Sequence, residues 1–152
     1  MESSLQKSLK YIEINVQDMT MSTWWVYTKQ NVTDVKYVRC IIQLLLGKDR
    51  QRIGLCNLCN QEPHSIHHIL FECTMIYDFR KTQWANVTKC CNNLLVSEIN
   101  KMSNKEKCKF ILNGFYASYT PEWNNIYMSL AKFVYFMYNK FENLLEELKK
   151  AH

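Results

Sequence analysis

Glycine and proline are scarce in this chain, whose 152 residues include three glycines and two prolines. This scarcity excludes a glycine-rich phosphate-binding loop, and it leaves no flexible linker at which the chain would divide. We therefore treat residues 1–152 as a single domain. A chain of this length buries about 68–70% of the surface that its unfolded form exposes, so it can hold a core of its own.

Long apolar runs are also missing. No uncharged stretch approaches the roughly 18 residues of a membrane span, because Lys132 and Lys140 interrupt the apolar C-terminal region. The seven cysteines are an odd number and no signal peptide precedes them, so we expect an intracellular protein of the nucleus or cytoplasm, with no membrane partner. Because no paired carboxylates and no activated nucleophile are evident, we expect neither enzymatic activity nor a small-molecule substrate.

Apolar residues make up 47% of the chain and aromatic residues 13%, which is typical of a folded protein. They recur every three or four positions, which predicts a mostly helical fold. Helix-capping residues mark several of the ends. We predict helices over residues 4–17, from a Thr33 cap to Gly47, from a Ser65 cap to about Glu72, from a Thr74 cap to about Cys90, from a Ser103 cap to Leu112, and from Thr120-Pro121 onwards.

The C-terminal pattern is the most regular. Apolar residues between Trp123 and Leu148 hold a three-to-four spacing, which predicts one long helix of roughly 28 residues. Its apolar stripe is either part of the core or a seam for self-association. For the adjacent Trp24 and Trp25 we favour a place in the core over a role in stacking on nucleic-acid bases. Neighbours on one element point in different directions, so at least one of the two is usually buried.

Four residues form a Cys-x2-Cys-x8-His-x4-Cys pattern: Cys56, Cys59, His68 and Cys73. Two cysteines at this spacing reach one metal ion from a tight turn, and an imidazole and a third thiolate then complete a tetrahedron. Three sulfurs and one nitrogen leave no open position for water, so we expect the metal to be structural. The mixed ligand set favours Zn²⁺ over a redox-active ion.

This zinc site spans residues 52–74 on the predicted fold. We expect residues 52–58 to form a hairpin-like rib that carries the first two cysteines, and His68 to lie in the first turn of a helix. Residues five apart on a regular helix differ by about 140° in direction and about 7.5 Å along the axis. The helix must therefore end or tighten near Glu72 for Cys73 to reach the ion that His68 binds.

The segment from Arg52 to Cys73 resembles the zinc-binding segment near the carboxyl end of polyproteins of non-LTR (LINE-type) retrotransposons, downstream of the reverse transcriptase. A weaker similarity extends over residues 35–90. The retroviral nucleocapsid knuckle differs, because it has a four-residue gap where this chain has eight before the histidine. His68 alone matches the spacing of the retrotransposon family, and His67 and His64 are the alternative ligands.

The resemblance implies a non-catalytic module that binds nucleic acid in support of reverse transcription, holding an RNA template or target DNA. The chain contains no Tyr/Phe-x-Asp-Asp polymerase motif. Five cations flank the zinc segment and can gather near one surface, where RNA or DNA phosphates would bind. These cations are Lys48, Arg50, Arg52, Arg80 and Lys81.

The formal net charge of +5 favours a polyanionic partner but is common among other proteins too. The alternative function is therefore a zinc-stabilised helical scaffold that binds proteins or self-associates through the Trp123–Leu148 face. In either case the chain is interpreted as a tail module of such a polyprotein or as a stand-alone, domesticated descendant of one.

Overall fold

The computed structural model describes part of the chain, namely Trp24, Tyr27, Thr28, Asn31 and residues 35–49, 52–116 and 121–151. Several predictions fall on other residues and lie outside this description. They concern the helix over residues 4–17, the side chain of Trp25, the Thr33 cap, the cation Arg50 and the start of the last helix at Thr120.

Six α-helices have both ends within the described residues, and they confirm the predicted mostly helical fold. They are α1 (Val35–Leu45), α2 (Ile66–Phe71), α3 (Tyr77–Cys90), α4 (Asn93–Asn100), α5 (Asn104–Leu112) and α6 (Asn124–Ala151). Short 3₁₀ helices occupy Thr74–Ile76, Gly114–Tyr116 and Pro121–Trp123. Extended pairing in the described part is limited to one antiparallel bridge between Leu55 and Pro63.

Helix α6 contains 28 residues and is about 42 Å long at 1.5 Å per residue, which confirms the predicted C-terminal helix. Helices α1, α2 and α3 pack against it. Most of its predicted apolar stripe is buried in these contacts, whereas Leu148 at the C-terminal end is exposed. The stripe is therefore largely occupied by packing within the chain, which leaves little of it free for self-association.

Gly47 stops helix α1 as predicted, two residues beyond Leu45, and its φ is 93°. The amide of Gly47 donates to Leu44 O and that of Lys48 to Gln43 O, the hydrogen-bond pair of a Schellman motif, which needs a left-handed residue such as glycine. The buried residues of α1 are Val38, Cys40, Ile41, Leu44 and Leu45, and Ile42 is partly buried against the core.

Trp24 is fully buried, which confirms its interpretation as a core residue. Its indole Nε1 donates to Leu112 O at 2.9 Å, so the polar atom that burial takes from water has a partner. The ring also meets Tyr27 and Tyr127 edge-on, with centroids 6.0 Å and 5.5 Å away. A base cannot stack on this tryptophan in the folded protein.

Two details of the helix ends differ from the predictions. Helix α4 is not among the predicted helices, and the side chain of Asn92 caps it by accepting a hydrogen bond from Leu95 N at 2.8 Å. The predicted Thr74 cap is wrong, because Thr74 is the first residue of the 3₁₀ helix and Cys73 holds the capping position. The Ser103 cap is confirmed by its contact with Glu106 N at 3.2 Å.

Candidate metal centre

The first two cysteines lie on a small knuckle that confirms the predicted hairpin-like rib. Cys56 N donates to Glu62 O at 2.8 Å, and His64 N donates to Gly54 O at 2.9 Å. These bonds pair residues on either side of a turn, and the Leu55–Pro63 bridge lies between them. The rib is thus the first arm of a hairpin whose second arm the sequence did not reveal.

The turn of the knuckle returns Cys59 towards Cys56. Asn60 N donates to Cys56 O at 2.8 Å, and Asn60 adopts a φ of 56°. Asparagine tolerates this left-handed conformation better than most residues, because its short polar side chain can bond locally. The backbone therefore reverses directly after the second cysteine and brings both thiols to one side.

Helix α2 supplies the histidine and its end supplies the third cysteine. The Ser65 hydroxyl accepts from His68 N at 3.0 Å, which confirms the predicted cap and places His68 in the first turn. The amides of Glu72 and Cys73 both donate to His68 O, at 2.9 Å and 2.8 Å. The helix thus ends at Glu72 as the geometry demanded, and Cys73 turns back towards the histidine.

The four predicted ligand atoms converge, and all lie within 4.8 Å of one another. The sulfurs of Cys56 and Cys73 are 3.9 Å apart, and Cys59 Sγ is 3.4 Å from His68 Nε2. A tetrahedron with metal–sulfur bonds of about 2.3 Å has sulfur atoms about 3.8 Å apart. The spacing therefore matches that of a single four-coordinate metal ion.

A carboxylate stands behind the ligand histidine. His68 Nδ1 lies 3.4 Å from Glu72 Oε1, and Asn104 Nδ2 donates to Glu72 Oε2 at 3.1 Å. A carboxylate on the far ring nitrogen directs the other nitrogen towards a metal and raises its basicity. Glu72 and Asn104 were not predicted as part of the site, because the contact between α2 and α5 depends on the tertiary fold.

The thiols differ in their readiness to ionise. Burial raises the pKa of Cys59, but hydrogen bonds from the amides of Gln61 and Glu62 and from His68 stabilise its thiolate, and the net pKa falls to about 7. Burial raises the pKa of Cys73 to about 12, and repulsion from the neighbouring thiolates adds to the rise. A divalent cation would offset this repulsion, so the cluster is suited to hold one.

The two alternative histidines are not part of the cluster. His64 Nε2 contacts Asp49 Oδ2 at short range, and Tyr138 OH donates to Asp49 Oδ1 at 2.9 Å. Arg52 completes this group with contacts to Asp49 at 3.0 Å and to Glu142 at 2.7 Å. The group joins the knuckle to the end of α1 and to α6. His67 also lies outside the set of converging atoms.

Arg80, which was predicted to contact nucleic acid, is buried instead, with 8% of its surface exposed. Its Nε donates to Leu70 O at 2.9 Å, and its Nη2 donates to Ile69 O at 3.2 Å and Cys73 O at 2.9 Å. These carbonyls lie at the C-terminal end of α2, where a helix leaves acceptors without partners. The guanidinium thus fixes the segment that carries Cys73, and it is not available to phosphates.

The other predicted cations are distributed unevenly. Lys48 and Lys81 are exposed. Arg52 is half-buried and engaged by two carboxylates. The structure therefore brings together fewer free cations near the knuckle than the sequence suggested.

Comparison with protein-family models, with curated proteins and with solved structures finds no match to this chain. Among the described residues, no helix is both long enough and apolar enough to cross a membrane.

Proposed function

We propose that this chain is a non-catalytic module that binds nucleic acid and is stabilised by Zn²⁺, as the resemblance to the tail of non-LTR retrotransposon polyproteins implies. The observation that carries the proposal is the convergence of three thiols and one imidazole at tetrahedral spacing. Zinc suits this mixed ligand set, and the four protein ligands would leave it no open position. The ion would hold the knuckle to α2 and would not react.

Nucleic-acid binding is supported by charge and by the resemblance. The net charge of +5 attracts a polyanion, and Lys48 and Lys81 are exposed at the surface and belong to no ion pair among the described residues. Each phosphate neutralised contributes a slope of about −0.9 to the salt dependence on duplex DNA, and about −0.7 on a single strand. An RNA template or target DNA is the partner that we propose.

The test measures metal content and nucleic-acid binding on the full chain. Mass spectrometry of the metal should find one zinc per chain, and fluorescence anisotropy should find binding to RNA or DNA oligonucleotides that weakens steeply as the salt concentration rises. A chain that contains no zinc would overturn the proposal that a structural metal stabilises the fold. Binding that is absent, or that does not respond to salt, would overturn the nucleic-acid part.

Self-association through the Trp123–Leu148 face stays a prediction. Analytical ultracentrifugation of the zinc-loaded chain checks it, and a monomer at all concentrations would contradict it. A dimer that also fails to bind nucleic acid would favour the scaffold as the function.

A further inference from the structure

We propose that a single-stranded nucleic acid binds in the cleft between α1 and α6, with its phosphates on Lys36, Arg39 and Lys48. The inference rests on the proposed function and assigns it a surface. The cleft has a volume of about 230 Å³ and is lined by both helices. Of its cations, only Lys48 was noted from the sequence, because the pairing of α1 with α6 is needed to form the cleft.

The charges of the cleft are strongly one-sided. Lys36 and Arg39 are three residues apart and therefore share a face of α1, and Lys48 follows just beyond its end. All three are exposed, and within the described ranges none of them forms an ion pair. The one acidic lining residue, Glu142, forms an ion pair with Arg52 at 2.7 Å. A polyanion would relieve the repulsion among the three cations.

Aromatic rings adjoin these cations. Tyr135 lines the cleft. The ring of Tyr37 packs edge-on against the ring of Tyr135, and the two ring centroids are 5.0 Å apart. Phe136 lines the adjoining hollow beside Lys132, with its ring centroid 5.5 Å from that of Tyr135. It is 38% exposed, although a large apolar side chain on α6 would gain from burial. Lys132 Nζ lies 5.7 Å from the Tyr37 ring, which adds a fourth cation beside the cleft. Cations interleaved with exposed rings are typical of surfaces that bind single strands.

A single strand fits this combination better than a duplex. Its unpaired bases have free faces, so one of them can stack on Phe136 while neighbouring phosphates contact Lys36 and Arg39. In a duplex the base faces are already stacked on one another, and only the phosphates remain for the cations. Gln43 and Asn139 also line the cleft. Gln43 Oε1 accepts from Lys48 Nζ and Asn139 Nδ2 donates to Tyr135 O, which leaves the amide NH2 of Gln43 and the amide oxygen of Asn139 for a base edge or a sugar hydroxyl.

The test compares variants of the full, zinc-loaded chain on fluorescein-labelled ten-nucleotide oligo(U) and oligo(dT). The cleft double variant Lys36→Gln/Arg39→Gln should shift the salt slope by about 1.4 and weaken binding by about 25-fold at 0.1 M salt. The matched control Lys105→Gln/Lys109→Gln removes two exposed charges four residues apart on α5, and it should weaken binding by less than a third of that factor. Equal losses in the two double variants would overturn the proposal.

Phe136→Ala tests the stacking contact separately. It should weaken single-strand binding by at least about fivefold and leave binding to a ten-base-pair duplex unchanged, while Phe136→Tyr should restore the affinity. An equal loss on duplex would overturn the single-strand assignment. Lys48→Gln provides an independent test outside α1, with an expected slope change of about 0.7.

Failure of this inference can be told from failure of the proposed function. A wild-type chain that binds no nucleic acid overturns both. A wild-type chain that binds, with cleft variants that bind equally well, overturns the cleft alone and leaves the function standing.

Discussion

Arg80→Met should cost the protein much of its stability, because this guanidinium holds the segment that carries two of the metal ligands. It makes three hydrogen bonds to backbone carbonyls, at distances of 2.9 Å to Leu70, 3.2 Å to Ile69 and 2.9 Å to Cys73. A hydrogen bond to a charged group contributes about 1.5–3 kcal/mol, and the three bonds share one donor group and do not add fully. We expect a total loss of about 3–5 kcal/mol.

The loss is measured as a change in melting temperature by circular dichroism, at a fixed zinc concentration. In a chain of this size 1 kcal/mol corresponds to about 2–4 °C, so Arg80→Met should melt about 6–20 °C lower than the wild type. Arg80→Lys keeps the charge but replaces the planar guanidinium by a single ammonium, so its drop should be intermediate. Lys81→Gln is the matched control, because the neighbouring side chain is exposed and should change stability by less than about 0.5 kcal/mol.

The opposite result would refute the structural role. Suppose that Arg80→Met has the same melting temperature as Lys81→Gln and that both variants lose the same factor in nucleic-acid affinity. The guanidinium would then lie at the surface, as the sequence suggested. An Arg80→Met variant that has a lower melting temperature and also loses zinc more readily would support the structural role, because Cys73 O is one of the three acceptors.

Three further perturbations follow from the same contacts. Cys59→Ser should lose most of its zinc to a mild chelator and destabilise residues 48–84, since structural zinc in finger peptides contributes about 10–16 kcal/mol. The control Cys90→Ser changes an exposed cysteine outside the cluster and should keep its zinc. Equal zinc retention by the two variants would contradict the site. Burial raises the pKa of Cys108 from 9.0 to about 12. The contribution of its neutral thiol to stability is therefore present below pH 9 and is lost as the pH rises towards 12, by about 1 kcal/mol at pH 10. The unfolding free energy of Cys108→Ala should fall less between pH 8 and pH 10 than that of the wild type, and parallel curves for the two proteins would argue against the raised pKa. His64→Ala removes the contact with Asp49 and should cost about 1–3 kcal/mol and speed hydrogen exchange in the knuckle, whereas unchanged exchange would show that the knuckle needs no such anchor.

Features that depend on neighbouring residues were predictable from the sequence. The caps at Ser65 and Ser103 and the end at Gly47 are local, because each side chain or backbone bonds within one helical turn. Helix α4 was missed for a related reason. An asparagine such as Asn92 favours both turns and helix caps, and the sequence does not state which of the two it forms.

The site shows the same division between local and distant contacts. The ligand spacing and the end of α2 at Glu72 were predictable, since one chain segment contains all four ligands. The role of Arg80 was not, because a positive charge in a sequence indicates a surface only on average. The contact of Glu72 with Asn104 and the contact of Asp49 with Tyr138 join residues 32 and 89 positions apart, so neither was predictable before the helices were assembled.

Contacts within the protein hold both parts of the candidate metal site, namely the knuckle and the end of α2. Arg80 from α3 fixes the segment that carries Cys73, and Asp49 at the end of α1 fixes His64 on the second arm. Because these anchors form with the fold, they provide part of the ordering that metal binding would require, and by linkage a bound metal would stabilise the same anchors. Lys48 lines one end of the basic cleft and directly precedes Asp49, which contacts the knuckle through His64. The corner formed by Lys48 and Asp49 therefore belongs to the cleft and also adjoins the candidate metal site. Metal binding and nucleic-acid binding would therefore be coupled through this corner although no ligand of one contacts the other.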